Sequence, residues 1–179
     1  LLKYEKVALQ VRAKGSSESS QYRRMQMARE ALAPAMRLGL RVFLNGTIEQ
    51  AQELDFHGVH LREALISKYL EKPSQIEIAT STHSLESIEK SASIGASFCL
   101  FSPIFKPLSK DIAPVGIDKL RSITQQARID IVALGGITPE RVAPCIQAGA
   151  KGVACLSSVM RAKKPHKSIQ SLIKAAQQA

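Results

Sequence analysis

Short apolar runs alternate with segments of helical periodicity along the chain, and this alternation constrains the fold more than any other feature. The runs cover residues 7–11, 41–45, 58–61, 76–80, 98–101, 129–134 and 152–156. Each has strand length and is rich in Val, Ile, Leu or Phe, the pattern of a buried strand. Between them lie stretches such as residues 84–92, where apolar side chains recur at helical spacing. Thr138 before Pro139 reads as the N-cap and first position of a helix. Gly39, Gly95 and Gly149 read as helix stops. Strand, helix, strand with short connections implies parallel pairing through right-handed crossovers. Two architectures satisfy this, an open doubly wound sheet and a closed (β/α)8 barrel. No Gly-x-Gly-x-x-Gly follows a strand, which disfavours the dinucleotide-binding version of the first.

The placement of polar residues favours the barrel, whose active sites are built at the C-terminal strand ends. The first run leads into Gln10, Arg12 and Lys14, the second into Asn45, and the third contains His60. The fourth ends in Ser81, Thr82 and His83, and the fifth is followed by Ser102 and a loop carrying Ser109 and Lys110. The sixth ends at Gly135-Gly136 and the seventh at Ser157-Ser158. The expected fold is an α/β TIM barrel forming a single domain over residues 1–179. Only seven strands are counted, so the barrel's first strand is expected upstream of residue 1, with residues 1–6 the tail of the helix that follows it.

Twenty-five Lys and Arg against fifteen Asp and Glu leave a net charge of +10. Such a balance favours anionic partners: nucleic acid, an acidic surface or phosphorylated small molecules. Aromatic residues are only 4% and Trp is absent, which argues against base stacking and hence against nucleic acid. No apolar run approaches the ~20 residues of a membrane span. Cys99, Cys145 and Cys155 lack metal-type spacing and read as reduced thiols of a cytoplasmic protein.

Gly135-Gly136 after an apolar strand suits a phosphate cradle, because glycine lets backbone N–H groups approach an anion. Ser157-Ser158 would complete it; the alternative is a plain strand-to-helix turn. Arg12 and Lys14, with Lys110, suit a second anion or a carboxylate; the alternative is a solvated rim. Asn45 is either a ligand-binding amide or a cap or turn with Gly46. His83 is the acid–base candidate, with an ordinary pKa near working pH, against a plain helix-start role. Ser81 is counted with the substrate-binding residues. His60 reads as a structural core histidine, and His57 and His166 as surface residues. Glu63 and Asp111 are the carboxylates nearest strand ends, too scattered for a metal site.

These motifs, in order, resemble the thiamine phosphate synthase superfamily. They are Gln10-Val11-Arg12-Ala13-Lys14, Phe43-Leu44-Asn45-Gly46, Gly58-Val59-His60-Leu61, Ser81-Thr82-His83-Ser84, Ser102-Pro103-Ile104-Phe105 with Ser109-Lys110, Leu134-Gly135-Gly136-Ile137-Thr138 and residues 148–154. The resemblance implies thiamine biosynthesis on a thiazole phosphate and this family's usual homo-oligomer. One branch joins a pyrimidine diphosphate to the thiazole phosphate with Mg²⁺. The other, TenI-like, includes a tautomerase that aromatises a carboxythiazole phosphate by moving a proton. The synthase pattern has Asn-Asp where this chain has Asn45-Gly46, and Gly-Gln-x-Asp where it has Arg62-Glu63-Ala64-Leu65. Both of the family's magnesium-binding aspartates are thus absent, and a Pro-Thr reads Lys106-Pro107. The resemblance therefore implies the tautomerase branch, without metal or other cofactor. His83 would be the catalytic acid–base residue. Gly135, Gly136, Ser157 and Ser158 would bind the phosphate, and Arg12, Lys14 or Lys110 the carboxylate. The alternatives are the Mg²⁺-dependent synthase, with Glu63 as a substitute ligand, and a catalytically silent sensor of phosphorylated ligands.

Overall fold

The computed structural model describes residues 7–69, 76–106 and 112–179. Strands and helices alternate as β1 (Ala8–Val11), α1 (Glu18–Arg37), β2 (Arg41–Leu44), α2 (Ile48–Glu53), β3 (Gly58–Leu61), α3 (Glu63–Ile66) and β4 (Glu77–Thr82). They continue as α4 (Leu85–Ser93), β5 (Phe98–Phe101), α5 (Gly116–Gln126), β6 (Asp130–Leu134), α6 (Pro139–Gln147) and β7 (Gly152–Ala154), then α7 (Ser157–Met160) and α8 (Pro165–Gln177). The seven strands are ordered as they occur in the chain, without reversal. A doubly wound sheet reverses its order at a switch point, so the sequential order assigns the (β/α) barrel class. The helix tail expected at residues 1–6 lies outside the described residues.

Two strands have the bounds their apolar runs suggest, Gly58–Leu61 and Phe98–Phe101. Two others differ where polar residues end them. β4 continues past its apolar run through Ser81 and Thr82, and His83 lies one residue beyond it. β7 stops at Ala154, so Ser157 and Ser158 open α7. Thr138 is the N-cap of α6 as expected, but its hydroxyl makes no capping hydrogen bond.

The chain divides into two compact units. The first runs to Thr80 and includes Ile94–Ala96. In it β1, β2, β3 and β4 pair in parallel, Val11 opposite Leu44, Leu44 opposite Val59 and Val59 opposite Ile78. Every residue of β3 is buried, as in a strand covered on both faces. Val42, Leu44, Val59, Leu61 and Ile78 form the core with Met25 of α1 and Ile48 of α2. Helix α2 is started by a capping box between Thr47 and Gln50, which satisfies two otherwise unpaired N–H groups.

The second unit holds residues 81–93 and 97–179. Here β5 pairs with β6 and β6 with β7, again in parallel. Cys99, Phe101, Ile131 and Ala133 meet Leu120, Ile123, Val142 and Cys145 from α5 and α6, and Leu172 from α8. All three cysteines are free thiols. Burial pushes the Cys145 thiol up to about 11, which makes it a packing residue and not a nucleophile. Among the described residues no helix is long and apolar enough to cross a membrane.

Gly58 is where the first unit is tightest. A Cβ there would stand 2.4 Å from the Phe43 ring and 2.7 Å from the Glu77 carbonyl oxygen, which is backbone and cannot yield. Gly152, in β7, has no atom within 4 Å of such a Cβ. Gly58→Ala is therefore expected to lower stability by about 1–3 kcal/mol, whereas Gly152→Ala should be neutral or slightly stabilising. Urea midpoints at unchanged m-value test the pair; equal effects would refute the packing account.

Candidate functional site

Arg12, Lys14 and Asn45 line one cavity of about 780 Å³ in the first unit. That is the size of a small-ligand site. Arg12 and Lys14 follow β1, and Asn45 follows β2. The Asn45 N–H donates to the Val11 carbonyl at 2.8 Å, extending the β1–β2 ladder past the last residue of the strands. Its side-chain Nδ2 donates to the His60 carbonyl at 3.1 Å. Asn45 is thus a brace across the ends of β2 and β3, and the helix cap beside it is Thr47. Arg62, directly after β3, also lines the cavity, and among the described residues Glu18 is the only carboxylate on the wall. Arg62 was readable from the rule that gave Asn45, a polar residue at a strand's carboxyl end.

His60 is 4% exposed within β3. Burial pushes its imidazole down to about 4, a Thr80 backbone hydrogen bond opposes this, and the Arg12 charge adds to the lowering. The ring is therefore neutral at pH 7, as a structural core histidine should be. His57 and His166 are exposed, as expected.

The remaining expected residues fall in the second unit. His83 is exposed, one residue beyond β4. Its Nδ1 lies 2.7 Å from the Ser102 carbonyl. A carbonyl only accepts, so Nδ1 carries the proton and Nε2 is the basic nitrogen. Ser81 is half-buried in β4, and the Thr82 hydroxyl beside it is fully buried without a hydrogen-bond partner.

The segment from Ser102 to Lys106 also meets the glycine pair. Ile104 and Phe105 N–H groups donate to the Leu134 and Gly135 carbonyls at 2.9 and 3.0 Å. Gly135 and Gly136 have φ of +103° and +62°. A Cβ on Gly135 would lie 2.8 Å from Pro103, and one on Gly136 2.7 Å from the Lys106 carbonyl. Glycine is thus required by loop packing as well as by any anion. Arg141 stacks on the Phe105 ring at 4.7 Å and donates to the Gly136 carbonyl at 2.6 Å. Ser157 and Ser158 are half-buried in the first turn of α7. The Ser158 hydroxyl is buried without a hydrogen-bond partner, and burial raises the Cys155 thiol beside it. Ser109 and Lys110 lie outside the described residues.

A divalent cation does not fit the first unit's cavity. Among the described residues its wall carries Arg12, Lys14 and Arg62 against Glu18 alone. Gly46 has no donor, and Glu63 is not on the wall. Among the described residues no group of three or more His, Cys, Asp or Glu is gathered anywhere. Asp111 lies outside them.

The family described as thiamine monophosphate synthase matches residues 1–159. The chain is 32% identical to the thiamine-phosphate synthase of Bacillus cereus (strain AH187) over 169 residues, covering 92% of this chain and 77% of the relative. It is 29% identical over 168 residues to the thiamine-phosphate synthase of Lactococcus lactis subsp. cremoris (strain MG1363), covering 91% and 77%. The solved structure of a thiamine phosphate pyrophosphorylase from Pyrococcus furiosus superposes with a TM-score of 0.77 at 24% identity, over 96% of this chain and 83% of that one.

The low pKa of His60 gives stability a definite pH dependence. Well above pH 6.5 the ring is neutral folded or unfolded and contributes nothing to the slope. As pH falls from 6.5 toward about 4, the unfolded chain takes up a proton that the folded one refuses, and stability is lost. By pH 4.5 the loss reaches about 2–3 kcal/mol. His60→Gln should flatten the fall in urea-unfolding stability between pH 7 and 4.5 by that amount. An unchanged slope would mean that the ring titrates normally.

Proposed function

We propose that this chain, which belongs to the thiamine monophosphate synthase family, catalyses the transferase reaction of thiamine biosynthesis that joins a pyrimidine diphosphate to a thiazole phosphate. The observation that carries this reading is the cationic cavity of the first unit, in a chain whose curated relatives bear the synthase name. In the reaction the pyrimidine's carbon loses its bond to a diphosphate oxygen and gains one to the thiazole nitrogen. The electron pair leaves on the diphosphate. Arg12 and Lys14 hold that anion with charge-assisted hydrogen bonds, which strengthen as negative charge develops. Asn45 fixes the wall between them and β3. Gly135 and Gly136 with Ser157 and Ser158 hold the thiazole's phosphate, and Ser109 and Lys110 are assigned to substrate by the resemblance alone.

A second reading is favoured by one observation, the hydrogen bond that puts the His83 proton on Nδ1. A ring fixed in that tautomer offers Nε2 as a base, which suits the tautomerase. There His83 would take a proton from the ring carbon bearing the carboxylate and deliver it to the exocyclic carbon. Ser81, beside it in β4, would line the same substrate.

One purified sample assayed for both reactions separates the two. Formation of thiamine phosphate is the expected result, and its absence beside aromatisation of the carboxythiazole phosphate would replace the transferase reading. His83→Asn sharpens the choice. It should leave the transferase within a fewfold of the parent, whereas the tautomerase would lose about 10²–10⁴-fold in turnover. Gly136→Val is a poor probe of phosphate binding, because its side chain would strike the Lys106 carbonyl.

A further inference from the structure

Among the described residues, Arg62 has no side-chain partner that explains its position. It is the N-cap of α3 and makes no side-chain capping hydrogen bond. That position favours a short acceptor side chain, and a positive charge there opposes the helix dipole. The residue instead lines the cavity that Arg12 and Lys14 share. The arginines elsewhere in the first unit show what structural pairing looks like: Arg29 is bonded to Asp55 at 2.5 Å and Arg41 to Glu77. Among the described residues, no such ion pair holds Arg12, Lys14 or Arg62.

Three neutral side chains of the wall already have partners. The Asn45 amide braces β3, Gln50 accepts from the Thr47 N–H at 3.1 Å, and the Tyr22 hydroxyl donates to Glu53 at 2.5 Å. Beside them the wall presents the charges of Arg12, Lys14 and Arg62. The ladder fixes how that charge is spread. Because β2 lies between β1 and β3, Arg12 and Lys14 rise on one side of the β2 end and Arg62 on the other. Two strand spacings are about 10 Å, a span that long cationic side chains close over an anion centred above Asn45. Three cations gathered in one concavity repel one another, and a polyanion relieves that repulsion. A divalent cation would add to it.

We propose that Arg62 acts with Arg12 and Lys14 to neutralise a diphosphate group in this cavity directly, so that the anion is bound without a divalent metal ion. The inference deepens the transferase reading and rests on it for the identity of the diphosphate. Planar guanidinium groups suit the task, since each presents a fork of donors matched to phosphate oxygens.

The test is calorimetric titration of the whole chain with inorganic pyrophosphate at physiological ionic strength, once with EDTA and once with excess Mg²⁺. Binding in EDTA should lie within about threefold of that in Mg²⁺. Arg62→Gln should weaken it about tenfold to a hundredfold, Arg62→Lys less, with circular dichroism and melting unchanged. Lys119→Gln, on exposed α5 surface, should have no effect and so excludes mere net charge. Binding that appears only with Mg²⁺, binding by Arg62→Gln within twofold of the parent, or no pyrophosphate binding in either buffer would each overturn the proposal. Arg62-dependent, metal-free binding without transferase turnover would uphold it and remove the transferase reading. Mg²⁺-dependent turnover indifferent to Arg62→Gln would do the reverse.

Discussion

Parallel pairing is the constraint from which the sites follow. Within each unit neighbouring strands run the same way, so their carboxyl ends lie along one edge and whatever follows them is gathered there. In the first unit the register sets Val11 beside Leu44 and Leu44 beside Val59. The residues that come next are Arg12, Asn45 and, two beyond His60, Arg62. Side chains far apart in sequence thereby line one cavity without any contact having to be encoded between them. The ladder even continues past the strands, through the Asn45 N–H to the Val11 carbonyl. The second unit repeats the device. Phe101 pairs with Ala133 and Leu134 with Ala154, and the chain after β5 keeps hydrogen bonding to the end of β6 through Ile104 and Phe105.

That continuation explains why one segment after β5 bears on two sequence motifs. Its first carbonyl, on Ser102, sets the tautomer of His83. Its next residues press so closely on Gly135 and Gly136 that no Cβ is tolerated. A glycine pair at this point therefore has two causes, and the packing cause is complete by itself. Ligand binding there gains from an already ordered backbone and adds nothing to the demand for glycine.

The strands were legible because buried parallel strands are continuous apolar runs, and Gly58–Leu61 and Phe98–Phe101 are read without error. Boundaries failed where that signal is polar. His83 reads as part of the strand end with Ser81 and Thr82, yet the strand stops at Thr82, which is wholly buried. Ser157 and Ser158 read as a strand end because Cys155 and Leu156 prolong the apolar run, whereas pairing stops at Ala154. Arg12, Lys14 and Asn45 were legible as strand-end residues, but their meeting in one cavity depends on register, which no local pattern carries. Arg62 was passed over because a cation after a buried strand looks like the first solvated residue. The capping box at Thr47 and Gln50, a local signal, would have separated Asn45 from the capping role.

The division between the family's two reactions turns on charge rather than fold. The sequence departs from the magnesium pattern at Gly46 and Leu65, which on its own argues against diphosphate chemistry, yet the curated relatives bear the synthase name. On the proposed reading the cavity's own cations answer for the missing metal ligands. Electrostatic stabilisation of a leaving anion asks for positive charge fixed in a partly desolvated concavity, and does not ask that a metal carry it. His60 is the neighbour able to upset this balance, being a fourth ionisable base behind the wall. Burial first, and the Arg12 charge second, keep it neutral at pH 7. The cationic character of the cavity is thus set by Arg12, Lys14 and Arg62 against Glu18, and above pH 6.5 it is independent of the histidine beneath.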